Sequence, residues 1–223
     1  MGRPLVMPRL IVFDLDGTLI DSRRDLAATA NQLIEELGGT PLDEPTIGRM
    51  IGDGVAALVA RTLAAGAGLG ADEEFVQRFR GIYNSRLLNH TLPYPGIREL
   101  LNTLGRHAEL TVLTNKPTES TLKILGGLNL LDPFRLIIGG DGPFPRKPNP
   151  LALQYFLDEA ELASHQCLLV GDSYVDFQTA QAAASPICMA RYGYGYENFP
   201  EQELRGNELL IDAPSELLKH LPI

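Results

Sequence analysis

The chain has 223 residues, 44% of them hydrophobic, and a formal net charge of −9 at pH 7. This size allows one large domain or a core with a small insert, and the hydrophobic fraction is sufficient for a buried core. The negative charge argues against nucleic acid or an anionic membrane as a partner. It does not exclude an anionic substrate, because a metal ion or a few local cations can reverse the potential within one cleft.

The sequence gives no sign of a membrane span, a signal peptide or a disulfide. No apolar run approaches the roughly 18 residues that a membrane span needs, and residues 1–9 lack the apolar segment of a signal peptide. The two cysteines, Cys167 and Cys188, lie in apolar runs typical of strands. We therefore predict buried free thiols and a cytoplasmic location.

The first predicted element is a strand over residues 10–13, because this run is almost wholly apolar and too short for a helix. Asp14 and Asp16 follow it directly, at the end of the strand where open α/β sheets bind ligands. Two carboxylates beside a buried strand would repel one another and lose hydration unless a cation or another partner compensates. The pair therefore predicts a functional site. The alternative is an Asp-rich turn in which Gly17 only supplies a permissive backbone.

A long helical stretch follows this strand. Ser22 and Asp25 have the spacing of a capping box at the start of the first helix, whose apolar positions recur every three and four residues. Three further helical patterns occupy residues 46–50, 55–65 and 75–88. We predict no strand between Asp21 and His90.

Strands and helices alternate in the rest of the chain. Strands are predicted at residues 110–113, 136–138, 167–170, 187–190 and 209–211, and helices at 97–104, 118–125, 151–159, 174–184 and 215–220. This alternation predicts an α/β fold with a doubly wound parallel sheet of Rossmann-like type. The predicted domains are a core formed by residues 1–20 and 94–223, and a small all-helical domain at 21–93 inserted after the first strand.

Polar residues accompany three further predicted strands. Thr114, Asn115 and Lys116 follow the strand at 110–113, Lys147 precedes Pro148 and a helix start, and Asp172 and Asp176 follow the strand at 167–170. Thr114 could be only a helix N-cap, and Asp176 could form a capping box with Ser173. Asp172 has no such structural explanation, because it follows a buried apolar run as Asp14 does.

The order of these residues resembles the four motifs of the haloacid dehalogenase superfamily, which consists mostly of phosphatases. Asp14-x-Asp16-Gly17-Thr18 is similar to the first motif, and Thr114, Lys147 and Asp172 are similar to the other three. The resemblance implies that Asp14 is the nucleophile and that Asp16 protonates the leaving group and then activates water. It also implies that Thr114 and Lys147 hold the phosphoryl oxygens.

The same resemblance implies a Mg²⁺ cofactor. The predicted metal ligands are Asp14, Asp16, Asp172 and Asp176, of which Asp176 would hold metal-bound water or orient Lys147. Gly17 and Asn115 are added to the predicted substrate-binding residues of the core. The acid at position 16 favours phosphoryl transfer over dehalogenation, because a halide leaving group needs no proton.

A second resemblance concerns the substrate. Residues 47–55, with Leu58 and Arg61, are similar to the cap segment of phosphoglycolate phosphatases, and residues 192–195 resemble the same group. The resemblance implies hydrolysis of 2-phosphoglycolate, with Gly52 allowing close approach of the cap backbone and Arg49 or Arg61 meeting the substrate carboxylate. A Gly-rich turn flanked by solvated arginines would have the same sequence.

Other functions remain open at this stage. Within the same chemistry the chain could be a pyrophosphatase, a sugar-phosphate phosphatase or a phosphomutase. A non-catalytic, metabolite-binding regulatory relative is the alternative from a different class, but such relatives usually lose Asp14, Asp16 or Lys147. We expect a small phosphorylated metabolite as the partner, no nucleic acid or membrane, and a monomer or homodimer.

Overall fold

The structure is a computed structural model that describes residues 7–223, so residues 1–6 of the predicted core lie outside the described residues. The strands are β1 (Leu10–Phe13), β2 (Ile20–Asp21), β3 (Leu92–Pro93), β4 (Glu109–Leu113), β5 (Leu136–Ile138), β6 (Cys167–Gly171), β7 (Ile187–Ala190) and β8 (Leu209–Ile211). The helices are α1 (Arg23–Glu36), α2 (Glu44–Gly48), α3 (Val55–Ala67), α4 (Glu73–Asn84), α5 (Ile97–Leu104), α6 (Thr118–Gly127), α7 (Leu151–Glu159), α8 (Tyr174–Ala182) and α9 (Leu217–His220).

Six strands form one parallel sheet in the order β5-β4-β1-β6-β7-β8. The first strand lies in the middle, where Val12 pairs with Thr111 of β4 and with Leu169 of β6. Because β1 is covered on both faces, all four of its side chains are fully buried. The predicted doubly wound parallel sheet is confirmed.

Alternate residues of β1 enter different halves of the hydrophobic core. Ile11 and Phe13 pack on one face of the sheet with Leu100 of α5 and Ile124 of α6. Leu10 and Val12 pack on the other face, in a cluster that includes apolar residues of α7 and α8. The central strand is therefore anchored from both sides, and the chain that follows it begins from a rigid support.

In chain order, helices α1 to α4 come after β2 and before β3. These two strands form a short antiparallel ribbon, in which Ile20 pairs with Pro93 and Asp21 with Leu92. The sequence did not predict this ribbon, because strands of two residues have no periodicity to detect. The chain leaves the parallel sheet along β2 and returns along β3, so the helical stretch is joined to the sheet through two adjacent strands.

The predicted capping box of Ser22 and Asp25 is wrong. Ser22 precedes α1 but makes no side-chain cap hydrogen bond, and its hydroxyl donates to Asp16 instead. The buried Asp25 carboxylate accepts hydrogen bonds from the backbone N–H groups of His90 and Thr91, at 2.9 and 2.8 Å. Both side chains thus have partners outside α1, and Asp25 fixes the segment that leads back to the ribbon.

Two smaller predictions concern the cysteines and the membrane. Cys167 and Cys188 are buried and unbridged, as predicted, and burial raises the pKa of the Cys167 thiol to about 12. Across residues 7–223, none of the helices combines the length and apolar character that a membrane crossing requires.

Candidate active site

The polar residues singled out by the sequence converge at the carboxyl ends of the three central strands, β4, β1 and β6. Asp14 follows β1, and its backbone N–H donates to the carbonyl of Val170 in β6 at 2.9 Å. Thr114 follows β4, and Asp172 follows β6. Parallel strands bring their carboxyl ends to one edge of the sheet, so residues more than 150 positions apart in sequence become neighbours.

Lys147 joins two of the acids. Its Nζ lies 2.8 Å from Oδ1 of Asp14 and 2.5 Å from Oδ1 of Asp176, and the lysine side chain is almost fully buried. Burial would lower the pKa of Lys147, but the attraction of Asp14 and Asp176 raises it above the ordinary value. Lys147 therefore remains a cation next to Asp14. Burial raises the pKa of Asp14 to about 7 despite the opposing attraction of Lys147.

Asp176 has two structural tasks at once. Its Oδ2 accepts hydrogen bonds from the backbone N–H and the hydroxyl of Ser173, and the Ser173 hydroxyl in turn accepts from the Asp176 N–H, which forms a capping box at the start of α8. Its Oδ1 accepts from Lys147. The capping role and the orientation of Lys147 are therefore compatible, since each uses a different carboxylate oxygen.

Asp172 is enclosed by backbone and by glycines. The Thr18 hydroxyl donates to its Oδ1 at 3.2 Å, and the Gly195 N–H donates to its Oδ2 at 2.7 Å. A Cβ on Gly17 would overlap this carboxylate, and a Cβ on Gly193 would lie 2.5 Å from Oδ2 of Asp172. Burial, followed by the repulsion of Asp14 and Asp176, raises the pKa of Asp172 well above its usual value.

The acids of this site fit a divalent cation. Asp14, Asp172 and Asp176 each present a carboxylate oxygen, and these oxygens lie within 4.8 Å of one another. All three side chains are buried, and Lys147 supplies one positive charge against three carboxylates. A hard cation with oxygen ligands would relieve the remaining repulsion.

The Asp16 carboxylate does not belong to this group of oxygens. Lys116 Nζ contacts both of its oxygens, at 3.0 and 2.9 Å, and the Ser22 hydroxyl donates to Oδ1. These partners hold the Asp16 carboxylate apart from the three clustered carboxylates, and Asp16 as a metal ligand stays a prediction. The Ser22 hydroxyl also lies 3.1 Å from the Tyr194 hydroxyl, so Asp16 is held by a connected polar network.

Thr114 and Asn115 connect the sheet edge to the loops around it. The Thr114 hydroxyl accepts from the Lys116 N–H at 3.2 Å, and α6 has Pro117 at its N-cap, so Thr114 is not the cap of that helix. Asn115 Nδ2 donates to the carbonyls of Lys147 and Gly52, both at 3.1 Å. Asn115 Oδ1 is buried and has no hydrogen-bond partner among the described residues, which leaves it free to accept from a ligand.

A small cavity of about 50 Å³ lies between this sheet edge and the helical stretch. Its lining includes Asp14, Asp16, Thr114, Asn115 and Asp172 from the core. The helical stretch contributes mostly apolar residues, among them Leu26, Ile51, Val55 and Leu58, together with Gly52, Gly54 and Tyr83. Because a single water needs about 10–15 Å³ of such space, the cavity fits only a small ligand.

The two arginines predicted to meet a substrate carboxylate lie outside this cavity. Both border a different surface depression, formed by the loop after α2 and the start of α8. Arg49 donates to the Thr46 hydroxyl at 3.0 Å, and Arg61 contacts the carboxylate of Asp53 and the carbonyl of Met50. The described contacts of these two side chains are thus with their own helical stretch.

Sequence reasoning missed Lys116 and Tyr83. Lys116 directly follows Thr114 and Asn115, but its sequence position assigns it no role, because a lysine in a loop is usually solvated. In the structure its side chain is only 4% exposed and lies between Asp16 and the Tyr83 hydroxyl, 2.8 Å away. The one available signal was its position directly after two candidate site residues at a strand end.

Comparisons with known proteins identify the family and agree with the fold. The model of a family described as haloacid dehalogenase-like hydrolase matches residues 11–190. A phosphoglycolate phosphatase of Rhodospirillum rubrum is 40% identical over 200 residues, which cover 86% of this chain and 83% of the relative. A phosphoglycolate phosphatase of Chromobacterium violaceum is 35% identical over 218 residues, which cover 94% of each chain. The crystal structure of a predicted phosphoglycolate phosphatase from Haemophilus somnus matches with a TM-score of 0.88 at 30% identity, over 95% of this chain and 96% of that one.

Proposed function

We propose a reaction for this protein from one premise: the chain belongs to the haloacid dehalogenase-like hydrolase family. On that premise it is a phosphoric monoester hydrolase, and the open questions are which residues act and on which ester. We infer that residues 21–93 form a cap domain over a core of residues 1–20 and 94–223. The pairing of Ile20 with Pro93 at the ends of this stretch supports those boundaries.

We assign the nucleophile to Asp14. An Asp14 carboxylate oxygen attacks phosphorus in line, and the bond from phosphorus to the ester oxygen breaks to give an aspartyl-phosphate. The contact that carries this assignment is the 2.8 Å separation of Lys147 Nζ from Asp14 Oδ1, because that cation lowers the repulsion between the carboxylate and the incoming phosphate.

Asp16 is the proposed proton carrier. It lines the same cavity as Asp14 and donates a proton to the departing alkoxide oxygen. In the second half of the reaction Asp16 takes a proton from the water that attacks the aspartyl-phosphate, which releases inorganic phosphate and restores Asp14. The Ser22 hydroxyl and Lys116 hold the Asp16 side chain in position.

Thr114 completes the phosphate-binding residues with Lys147. Asn115 remains a proposed substrate-binding residue through its Oδ1, unpaired within residues 7–223, because its Nδ2 already donates to two carbonyls. Thr114 lines the same cavity as Asp14 and Asp172, and the Gly17 backbone lies against the Asp172 carboxylate. Mg²⁺ is the cofactor we propose, held by Asp14 and Asp172 with Asp176 behind them. When bound it would neutralise phosphate charge and orient the phosphoryl group for attack.

The substrate we propose is 2-phosphoglycolate. The names of the relatives support this choice, and so do the small cavity and its partly apolar lining from the cap. The free buried thiols support a cytoplasmic location. For the oligomeric state we propose a monomer or homodimer, as expected from the sequence.

Phosphate release tests the proposal. We expect the protein to hydrolyse 2-phosphoglycolate with Mg²⁺ and to lose this activity with a chelator, and to prefer it to glycerol 2-phosphate, pyrophosphate and glucose 6-phosphate. Acid quenching during turnover should trap phosphate on the peptide that contains Asp14. An Asp14→Asn protein that turns over normally, or a clear preference for pyrophosphate, would refute the assignment.

A further inference from the structure

Lys116 is a buried cation that holds Asp16 and also contacts Tyr83, a residue to which the proposed hydrolysis gives no role. Its side chain starts from the core, directly after Thr114 and Asn115, and ends beside the cap. Burying an ammonium group costs free energy unless it is fully paired. Burial alone would lower the pKa of Lys116, but Asp16 and Tyr83 raise it above the ordinary value, so the group stays charged.

The contacts of Lys116 cross from one part of the protein to the other. Its Nζ lies 2.9 Å from Oδ2 of Asp16 in the core and 2.8 Å from the hydroxyl of Tyr83 on α4. The ammonium also lies 4.6 Å from the centre of the Tyr83 ring, which adds a cation–π attraction. Lys116 thus has its full set of neighbours only when α4 is packed over the sheet edge.

The Tyr83 hydroxyl has a hydrogen atom to offer. It accepts from Lys116, and within residues 7–223 its own O–H has no acceptor assigned. Burial, opposed in part by Lys116, raises the pKa of Tyr83 to about 12, so the hydroxyl remains protonated near neutral pH. Because Tyr83 lines the cavity, that O–H can donate to a ligand in it.

Lys116 is also the only basic residue among those that line this cavity in the described part of the chain. The other charged residues of the lining are the carboxylates Asp14, Asp16 and Asp172. A phosphate ester that carries a second anionic group would meet mainly negative charge or apolar side chains elsewhere in the lining. Only beside Lys116 and Tyr83 does it find a cation and a hydroxyl donor together.

We propose that the Lys116 ammonium and the Tyr83 hydroxyl together bind the carboxylate of the substrate, and so determine a preference for esters that carry one. This inference rests on the proposed function and identifies the recognition residues for its substrate. The pair takes the role that the sequence suggested for Arg49 or Arg61, which lie outside the cavity. Since Tyr83 belongs to the cap and Lys116 to the core, the carboxylate would be bound only in the closed arrangement.

Binding of two phosphonates in the presence of Mg²⁺ tests this pair without turnover. 3-Phosphonopropionate has the shape of 2-phosphoglycolate with a methylene in place of the ester oxygen, and propylphosphonate has a methyl group where the carboxylate would be. We expect calorimetry to show that the wild-type protein binds the carboxylate-bearing compound about ten- to a hundredfold more tightly. In Lys116→Met the ratio should fall to near one, and in Tyr83→Phe it should fall by a smaller factor.

Matched variants separate this role from a general loss of structure. Lys123→Met removes an exposed lysine of α6, and Arg61→Met removes the cap arginine that could bind the carboxylate instead. Both variants should keep the wild-type ratio of the two affinities. Lys116→Arg retains the charge and should retain part of the preference for the carboxylate-bearing phosphonate. This variant keeps the test decisive if Lys116→Met lowers the midpoint of thermal unfolding.

The outcomes also distinguish this inference from the function on which it rests. If Lys116→Met leaves the ratio of the two affinities unchanged, whether or not both phosphonates bind more weakly, the inference is wrong while the proposed substrate stands. If the wild-type protein binds the two phosphonates equally, the carboxylate is not recognised and both proposals fail. If Arg61→Met lowers the ratio of the two affinities to near one, Arg61 binds the substrate carboxylate.

Discussion

Gly17 and Asp172 are in close contact across the site, although 155 positions separate them. Gly17 has a φ of +88°, and a Cβ at this position would lie 2.6 Å from Cγ and 2.8 Å from Oδ1 of Asp172. Real Cβ atoms essentially never approach other atoms this closely. The glycine therefore serves the site in two ways: it permits the turn after Asp16 and leaves room for a carboxylate.

The first prediction is that Gly17→Ala abolishes most of the phosphatase activity. The added methyl group must displace the Asp172 carboxylate, so we expect at least a hundredfold loss of kcat/KM with a higher Mg²⁺ requirement. Gly68→Ala is the matched control, because Gly68 also has a positive φ, +66°, but has no atom within 4 Å of the added Cβ. Equal activity losses in the two variants would show that backbone strain, and not the contact with Asp172, is responsible.

The second prediction concerns Asp176, which links the helix cap to Lys147. Asp176→Ala removes both the capping box of α8 and the contact with Lys147, so it should lower both stability and activity. We expect at least a tenfold loss of kcat because Lys147 is no longer held beside Asp14. The matched control is Asp72, which caps α4 by accepting a hydrogen bond from the Phe75 N–H. Asp72→Ala should lower the free energy of unfolding by about 1 kcal/mol and leave kcat unchanged. Normal kcat in Asp176→Ala would limit Asp176 to a capping role.

Much of the parallel sheet could be predicted from the sequence, because buried strands and the helices between them have strong local patterns. The predicted bounds of α5, β5, α7, β7 and β8 agree with the structure. The ribbon of β2 and β3 could not be predicted, since its four residues carry no periodic pattern. Its pairing depends on where the helical stretch returns to the sheet.

The core of the candidate site was predictable because Asp14 and Asp172 each directly follow an apolar strand. Ser22 and Asp25 show the limit of that reasoning: their spacing fits a capping box, yet Ser22 contacts Asp16 and Asp25 contacts the segment at residues 90–91. Lys116 and Tyr83 lie 33 positions apart, and no local pattern indicates that they meet. Such contacts follow from the packing of α4 over the sheet and not from spacing.

The third prediction is a pH-dependent stabilisation by Mg²⁺. Burial raises the pKa of Asp14 to about 7 and that of Asp172 well above its usual value, so without metal the folded protein binds protons more strongly than the unfolded chain. The contribution of Asp14 to stability is then full below about pH 4, the ordinary range of an aspartate, and is lost as the pH rises through about 7. Bound Mg²⁺ needs the carboxylates deprotonated and offsets their repulsion, so its stabilising effect should increase with pH.

Thermal unfolding with chelator or with Mg²⁺ at several pH values measures this effect. We expect the rise in Tm on adding Mg²⁺ to be larger at about pH 7.5 than at about pH 5. Asp172→Asn should lose most of the rise at both values, because it removes one of the three clustered carboxylates. A rise in Tm that is the same at both pH values would contradict a metal site formed by these buried acids.

The fourth prediction tests the cap arginines against the substrate site. The sequence hypothesis expects Arg49→Ala and Arg61→Ala to raise KM for 2-phosphoglycolate more than for glycerol 2-phosphate. Both side chains lie outside the cavity and contact Thr46, Met50 and Asp53, so we expect changes in KM of less than about threefold for either substrate. A selective rise in KM for 2-phosphoglycolate would show that an arginine enters the site during turnover.

The last prediction is that Asn115 holds the cap against the core. Asn115 Nδ2 donates both to the Gly52 carbonyl on the cap and to the Lys147 carbonyl in the core, so Asn115→Ala removes one side chain that spans the boundary. We expect KM to rise about five- to twentyfold, since one buried and one partly buried hydrogen bond are lost, and limited proteolysis within residues 50–54 to become faster. Asn31→Ala is a suitable control, because the Asn31 amide donates to the Leu42 carbonyl entirely within the cap and should affect stability without changing KM. If Asn115→Ala lowers kcat at unchanged KM and unchanged proteolysis, Asn115 acts on Lys147 alone and the closed cap is held by other contacts.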